Sequence, residues 1–382
     1  MAQVLYLYSQ ALRADSPHAR RTFQMLALLK EAGYKADLLT LPSGDTWPKG
    51  LAENIYVTSR VPFTRTLKPY GFGVRRAWAT VVMAFTAMRL CLQNHYEVVH
   101  CSDRAIRIGG LLSWLFGTKF IFEWRSTSGH DLIAWTRWRS KRFLDAVKLV
   151  ITDVPYTVVQ LRESGLYGRI ACIQSLPHPS LTPLPPPSIR LGSTPRQFRV
   201  TAFSYDDYLA DLTHFCDALP HLLAQANLHL TIVGGTPAAA ERLRQRLAYR
   251  YPQASGAVVI RPKTVGIKDF MDCIREADVV YFPVCNGPVA PHLLLDTMAC
   301  ARAVMATRCP AYEAFLTHQN AALVGADIAQ ITDCIHQLMK EPLRGHQLAR
   351  SAEETVRKER SPASAISALR SCYAFILLEP RA

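Results

Sequence analysis

The stretch GPVAPHLLLDTMACARAVMAT, Gly287 to Thr307, sets one carboxylate in an otherwise apolar helix. Burying Asp296 is costly unless its oxygens meet donors. It is therefore either a ligand-binding group or an acid capping a neighbouring backbone turn. His292, one turn earlier on the same face, is a ligand contact or a structural imidazole. The helix is expected to begin near Pro291, where unsatisfied N–H groups and partial positive charge suit a diphosphate. The loop before it, Asn286-Gly287-Pro288, is poor in polar side chains. Gly287 allows close backbone approach, so main-chain amides alone would hold a phosphate there. Gly234-Gly235, after a TIV strand, would admit a ligand or form a common turn. In the first half, FEWRSTSGHD brings Glu123, Arg125, His130 and Asp131 to the end of a strand. Strand C-termini line the crevice of open parallel sheets, which makes Glu123, His130 and Asp131 the acid/base candidates.

These residues sit in a repeating β-α-β pattern. Val4–Ser9 reads as a strand, with Ser16 as N-cap and Pro17 as first residue of the following helix. Strands KADLLTL, NIYVTS, YEVVHCS, KFIFEWR and LVITDV follow, with helices over about 74–92 and in AIRIGGLLSWLFG. The order predicts a parallel sheet with helices on both faces. Residues 177–197 are Pro-rich and lack a helical period, so they read as an extended linker. The pattern then restarts through FRVTAFS, LHLTIVGG, AVVIRPK, DVVYFPV and AVMAT, and ends in a helix from Pro362 to Leu378. The expected division is 1–176, 177–197, 198–361 and a C-terminal helix, 362–382, that crosses back to the first domain. Two α/β domains joined in this way make a cleft the default ligand site.

Composition narrows the partners. The formal net charge is +14, with 23 Lys and Arg against 12 Asp and Glu in residues 1–180, and 21 against 18 thereafter. A basic first half suits an anionic partner or is simply a solvated face. The segment AWTRWRSKRFLDAVKLV interleaves Trp135, Trp138 and Phe143 with Arg137, Arg139, Lys141 and Arg142. That composition suits an anionic membrane surface or an amphipathic helix on the sheet. No nucleic-acid motif accompanies it, so no nucleic-acid partner is expected. The ten cysteines are scattered and unpaired in spacing, as buried thiols in a reducing cytosol would be. No clustered zinc ligands occur, and Asp206-Asp207 reads as a solvated turn, so no metal is expected. The apolar run Trp78–Met88 is shorter than a bilayer span, and no basic leader precedes the first strand. The expected location is cytoplasmic, with peripheral attachment to the inner face of the plasma membrane left open.

Several collinear pieces carry a resemblance. LTIVGGTPAAAERLRQRL, DFMDCIREADVVYFPV and LLDTMACARAVMAT are similar to the C-terminal domain of GT-B glycosyltransferases, closest to glycosyltransferase family 4. YEVVHCSDR and RIACIQSLPHPS resemble that family's first domain in layout. The resemblance implies a GT-B fold, two Rossmann-like domains across a cleft, with an acceptor-binding first domain. It implies a nucleotide-sugar donor as co-substrate, no cofactor, and a lipid-linked or surface-polysaccharide acceptor. It further implies that Asp296 binds the donor ribose, whose two hydroxyls would pair its oxygens.

Three positions depart from the pattern. Pro288 stands where the family usually has a Glu that touches the donor sugar. FSYDDYLADL stands where an Arg and a Lys usually neutralise the leaving diphosphate. Arg125 stands about where a His usually lies near the sugar. A leaving diphosphate needs positive charge or aligned dipoles. Arg261 and Lys263 in IRPKT, Arg302, or Arg20 and Arg21 are the substitutes available, unless each is only a surface base. Ser16, His18 and Arg20, at the start of the first helix, are the candidates on the acceptor and diphosphate side. Three functions compete: a nucleotide-sugar-dependent glycosyltransferase, a non-catalytic GT-B module that binds glycan or a partner enzyme, and a sugar-nucleotide epimerase.

Overall fold

A computed structural model describes residues 2–11, 17–42, 50–58, 71–102, 105–125, 146–163, 168–186, 197–204, 209–224, 227–252, 256–262, 267–283 and 292–378. The chain divides into two units, Met1–Ser175 with Pro362–Ala382, and Leu176–Ser361.

In the first unit, strands β1 (Gln3–Ala11), β2 (Lys35–Leu41), β3 (Ile55–Val57), β4 (Val98–Ser102), β5 (Lys119–Trp124), β6 (Val147–Thr152) and β7 (Ile170–Cys172) form one sheet. Its order is β3-β2-β1-β4-β5-β6-β7, and every pairing is parallel. Helices α1 (Pro17–Glu31), α2 (Gly71–Gln93), α3 (Ile106–Phe116) and α4 (Pro155–Glu163) make the crossovers. β4 is buried along its whole length, as a strand covered on both faces must be. In α3, Gly109 faces β4 and β5 at a distance that leaves no room for a Cβ, which would lie 2.3 Å from the Phe120 ring and 2.5 Å from Cys101 Sγ.

The second unit repeats the plan with β8 (Phe198–Phe203), β9 (Leu228–Val233), β10 (Val258–Arg261), β11 (Val279–Phe282), β12 (Ala303–Thr307) and β13 (Ala322–Val324). The order is β10-β9-β8-β11-β12-β13, again all parallel. Helices α5 (Thr213–Leu223), α6 (Pro237–Arg250), α7 (Ile267–Arg275), α8 (His292–Ala299), α9 (Pro310–Glu313), α10 (Ile328–Lys340) and α11 (Pro342–Glu359) surround it. Local signals start two of them. Thr236 accepts from the Ala239 amide with Pro237 as first helical residue, and Asp327 accepts from the Gln330 amide. The sequence pattern does not predict α4, α9, β13, α10 or α11.

The final helix, α12 (Pro362–Leu378), belongs to the first unit, where Ala365, Leu369, Tyr373 and Ile376 are buried. The Arg370 guanidinium donates to the carbonyls of Glu31 and Ala32 at the end of α1. Lys119 Nζ donates to the Ile376 and Leu377 carbonyls at 2.6 and 2.9 Å, closing the C-terminus of α12 with a cation.

Candidate functional site

In each sheet, strand order reverses between β1 and β4 and between β8 and β11, the switch point where open α/β sheets place ligands. The first unit builds a buried polar knot beside its switch point. Glu123 on β5 is fully buried and receives the Arg21 Nε at 2.8 Å, Arg125 Nη2 at 3.2 Å and the Tyr6 hydroxyl. Arg125 also donates to Tyr6 Oη and Thr22 Oγ1, at 2.9 and 2.8 Å, and lies over the Tyr8 ring. Arg21 donates further to the carbonyls of Ile173 and Gln174. His100 approaches Glu123 from β4 and meets the Tyr373 hydroxyl of α12 at 2.7 Å.

Electrostatics fit this geometry. Burial alone would raise the Glu123 carboxyl, but Arg125, Arg21, His100 and the Tyr6 hydroxyl outweigh it and hold it at about 2. Burial lowers His100 to about 4, so the ring is neutral near pH 7. A general base works best with a pKa near the operating pH and must reach its substrate. Glu123 meets neither condition. Arg125, 2% exposed, is likewise committed to protein partners. The structure therefore assigns Glu123, Arg125 and Arg21 to tying α1, β1, β5 and the Ile173-Gln174 segment together. Arg20, the next residue in α1, is half-buried. Ser16, His130 and Asp131 lie outside the described residues, as does the basic aromatic segment up to Asp145. His18 is in α1, with its side chain outside the description.

In the second unit, α8 carries Asp296 and His292, both buried, at 1% and 4% exposure. Asp296 Oδ1 accepts the backbone N–H of His178 at 2.9 Å. This is the turn-capping alternative: the carboxylate holds the start of the Pro-rich segment against α8. Two more bonds extend the attachment, from the Leu184 amide to the Cys300 carbonyl and from Arg302 Nη1 to the Pro185 carbonyl. Arg302 is nearly sealed and gives its remaining N–H groups to the carbonyls of Ile274, Arg275 and Ala301. It is a backbone clamp, not a partner for a leaving group.

The Gly234-Gly235 turn has φ values of 150° and 67°. A Cβ at Gly234 would lie 2.6 Å from that of Ser204, and one at Gly235 would lie 2.8 Å from Leu209 Cγ. The close approach these glycines permit is to their own chain. Arg261 is exposed at the end of β10, and its carbonyl receives the Gly234 amide. Lys263, Asn286 and Gly287 lie outside the described residues. Arg308, absent from the sequence candidates because it belongs to no motif, is exposed at the end of β12, so it and Arg261 are cations at that sheet's C-terminal edge. Arg308, Tyr312, Glu313 and His318 line a cavity of about 220 Å³. That is below the ~300–1,000 Å³ of small-molecule sites and too small for a whole nucleotide sugar. The Tyr312 hydroxyl donates to the Pro283 carbonyl, one residue past β11.

Comparison with known proteins agrees with this architecture. Residues 200–341 match the group 1 glycosyl transferases. The second unit is thus similar over most of its length to the group 1 glycosyl transferases, and the chain has the GT-B fold. Sucrose-phosphate synthase from Thermosynechococcus elongatus superposes with a TM-score of 0.73 at 15% identity, over 98% of this chain and 99% of that one. Anabaena HepE in complex with UDP and glucose gives 0.72 at 14%, over 98% and 100%. The catalytic domain of Arabidopsis thaliana starch synthase IV, bound to ADP and acarbose, gives 0.71 at 12%, over 99% and 100%. No curated protein matches the chain by sequence. The GT-B frame is thus present at low identity, and within it Glu123, Arg125 and Asp296 bond to groups of their own chain.

Proposed function

We propose that this GT-B glycosyltransferase moves a sugar from a nucleotide-sugar donor to a lipid-linked or surface-polysaccharide acceptor on the cytoplasmic side of a membrane. The match of residues 200–341 to the group 1 glycosyl transferases carries the reading. It is supported by GT-B neighbours whose structures hold UDP, UDP-glucose or ADP. The donor needs no cofactor. Its diphosphate would be met by main-chain amides of Asn286 and Gly287 and of the head of α8, with Arg261 or Lys263 supplying charge.

A second reading has its own observation. Glu123 and Arg125 are sealed from solvent, and Asp296 is engaged by the His178 amide. Such a chain would bind a nucleotide or glycan without turnover. No observation favours an epimerase.

The test is calorimetric unfolding of the full chain with UDP, GDP and ADP, followed by consumption of the matching sugar nucleotide with membrane-lipid acceptors. A diphosphate at a hundred times its Kd stabilises by about 2.7 kcal/mol. In a unit of this size that is a shift of roughly 5–10 °C in its Tm. A shift with turnover supports transfer, and a shift without turnover supports the binding module. No shift with any of the three refutes both.

A further inference from the structure

The helix α2 is apolar on two sides, and one of them is uncovered. Met83, Ala87, Leu90 and Cys91 lie in the first unit's core. On the other side Trp78 and Val81 are 42% exposed, Phe85 66% and Leu92 75%. Spacings of three, four and seven residues bring these four into one stripe along the helix. Next to α2, α3 adds Trp114, 79% exposed, and Leu115. A helix that is hydrophobic all round belongs in a core or against hydrocarbon, and contiguous exposed apolar surface marks a partner site.

Charge identifies the partner. The two helices contain Arg75, Arg76, Arg89 and Arg107 and no Asp or Glu. Arg89 is exposed between Phe85 and Leu92, and Arg107 is exposed two turns before Trp114 on the same face of α3. Tryptophan and phenylalanine interleaved with arginine, with no acid, match the boundary between anionic headgroups and acyl chains.

We infer that the outer face of α2 and α3 docks on an anionic lipid surface, with Trp78, Phe85, Leu92 and Trp114 entering the headgroup boundary. Arg89 and Arg107 then meet lipid phosphates. This deepens the membrane acceptor of the proposed function. It requires no donor, so it is measured independently of nucleotide binding and transfer.

The experiment is co-sedimentation of the full chain with phosphatidylcholine vesicles, with and without phosphatidylglycerol. Tryptophan emission and sedimentation velocity are recorded in parallel. The expected result is binding to the phosphatidylglycerol vesicles with a blue shift, weakened by salt. The combined variant Phe85→Ser, Leu92→Ser, Trp114→Ser is expected to lose binding at least tenfold. The pair Arg89→Gln and Arg107→Gln, which leaves the core untouched, should lose roughly fivefold per arginine. The inference is overturned if the native chain stays in solution beside anionic vesicles, or if both variants sediment like it. It is also overturned if the native chain is a dimer that the apolar variant separates, because the face then belongs to a second copy. A nucleotide-induced shift in unfolding temperature without vesicle binding overturns the docking face and leaves glycosyl transfer standing.

Discussion

Replacing Glu123 with Gln removes one negative charge from between two buried guanidinium groups. Arg21 and Arg125 are 1% and 2% exposed and share that carboxylate, at 2.8 and 3.2 Å. The amide keeps the shape but offers one acceptor oxygen, and its NH2 faces donors. The cost can be reached in two ways. The carboxyl is held at about 2 against an ordinary 4.5, a difference of about 3 kcal/mol between folded and unfolded chain. Breaking a buried ion pair from one side typically costs about 3–5 kcal/mol. Because the folded pKa is depressed, this stability is fully present above pH 4.5 and is lost as pH falls toward 2. All six tryptophans lie in residues 47–138, so tryptophan fluorescence follows the first unit alone during urea unfolding. Glu123→Gln is expected to lower that unit's stability by about 3–5 kcal/mol at pH 7. A loss below about 1 kcal/mol would mean that water or another group reaches the guanidiniums, and the sealed-knot account would be refuted.

Three further outcomes are expected. His100, held by burial at about 4 against an ordinary 6.5, favours protonation in the unfolded chain. The first unit should therefore weaken as pH falls from 6.5 through 4, and His100→Gln should flatten urea midpoints across that window. Ala301 closes α8 at φ 51°, with Arg302 N–H bonded to Thr297 O and Ala301 N–H to Met298 O, a Schellman turn that normally takes glycine. Ala301→Gly should stabilise the second unit by about 1 kcal/mol in calorimetry, and a destabilisation would show that its methyl group is packed. Arg302→Met removes donors from four carbonyls and should cost about 2–4 kcal/mol, with no loss of nucleotide affinity at permissive temperature. A selective loss of affinity would restore a ligand role to that residue.

Much of the frame was legible because it is periodic and local. Strands β4, β11 and β12 are short apolar runs between helices, and the last helix begins at Pro362 as its sequence implies. The short β13 carries too little pattern in three residues, and α10 and α11 are rich in charged and polar residues that match no motif. The site was less legible for a different reason. Glu123 and Arg21 are 102 residues apart, and Asp296 and the His178 amide are 118 apart. One sequence shows that a charged residue lies in an apolar run, but not whether its partner is a ligand or its own chain. For Asp296 both answers were open, and the backbone amide is the one the fold supplies. For Gly234-Gly235 the space that could have taken a ligand is filled by Ser204 and Leu209.

The two anchors flanking the first passage between the units have a mechanical consequence. Upstream, Arg21 grips the carbonyls of residues 173 and 174, and downstream Asp296 grips the amide of 178. Backbone rotation at this crossing is thereby concentrated in Ser175, Leu176 and Pro177, and the pyrrolidine ring already fixes one torsion of the last. These three residues are a short stiff pin between two anchored segments rather than a slack string. Lengthening that pin by inserted glycines would be the most direct way to loosen it.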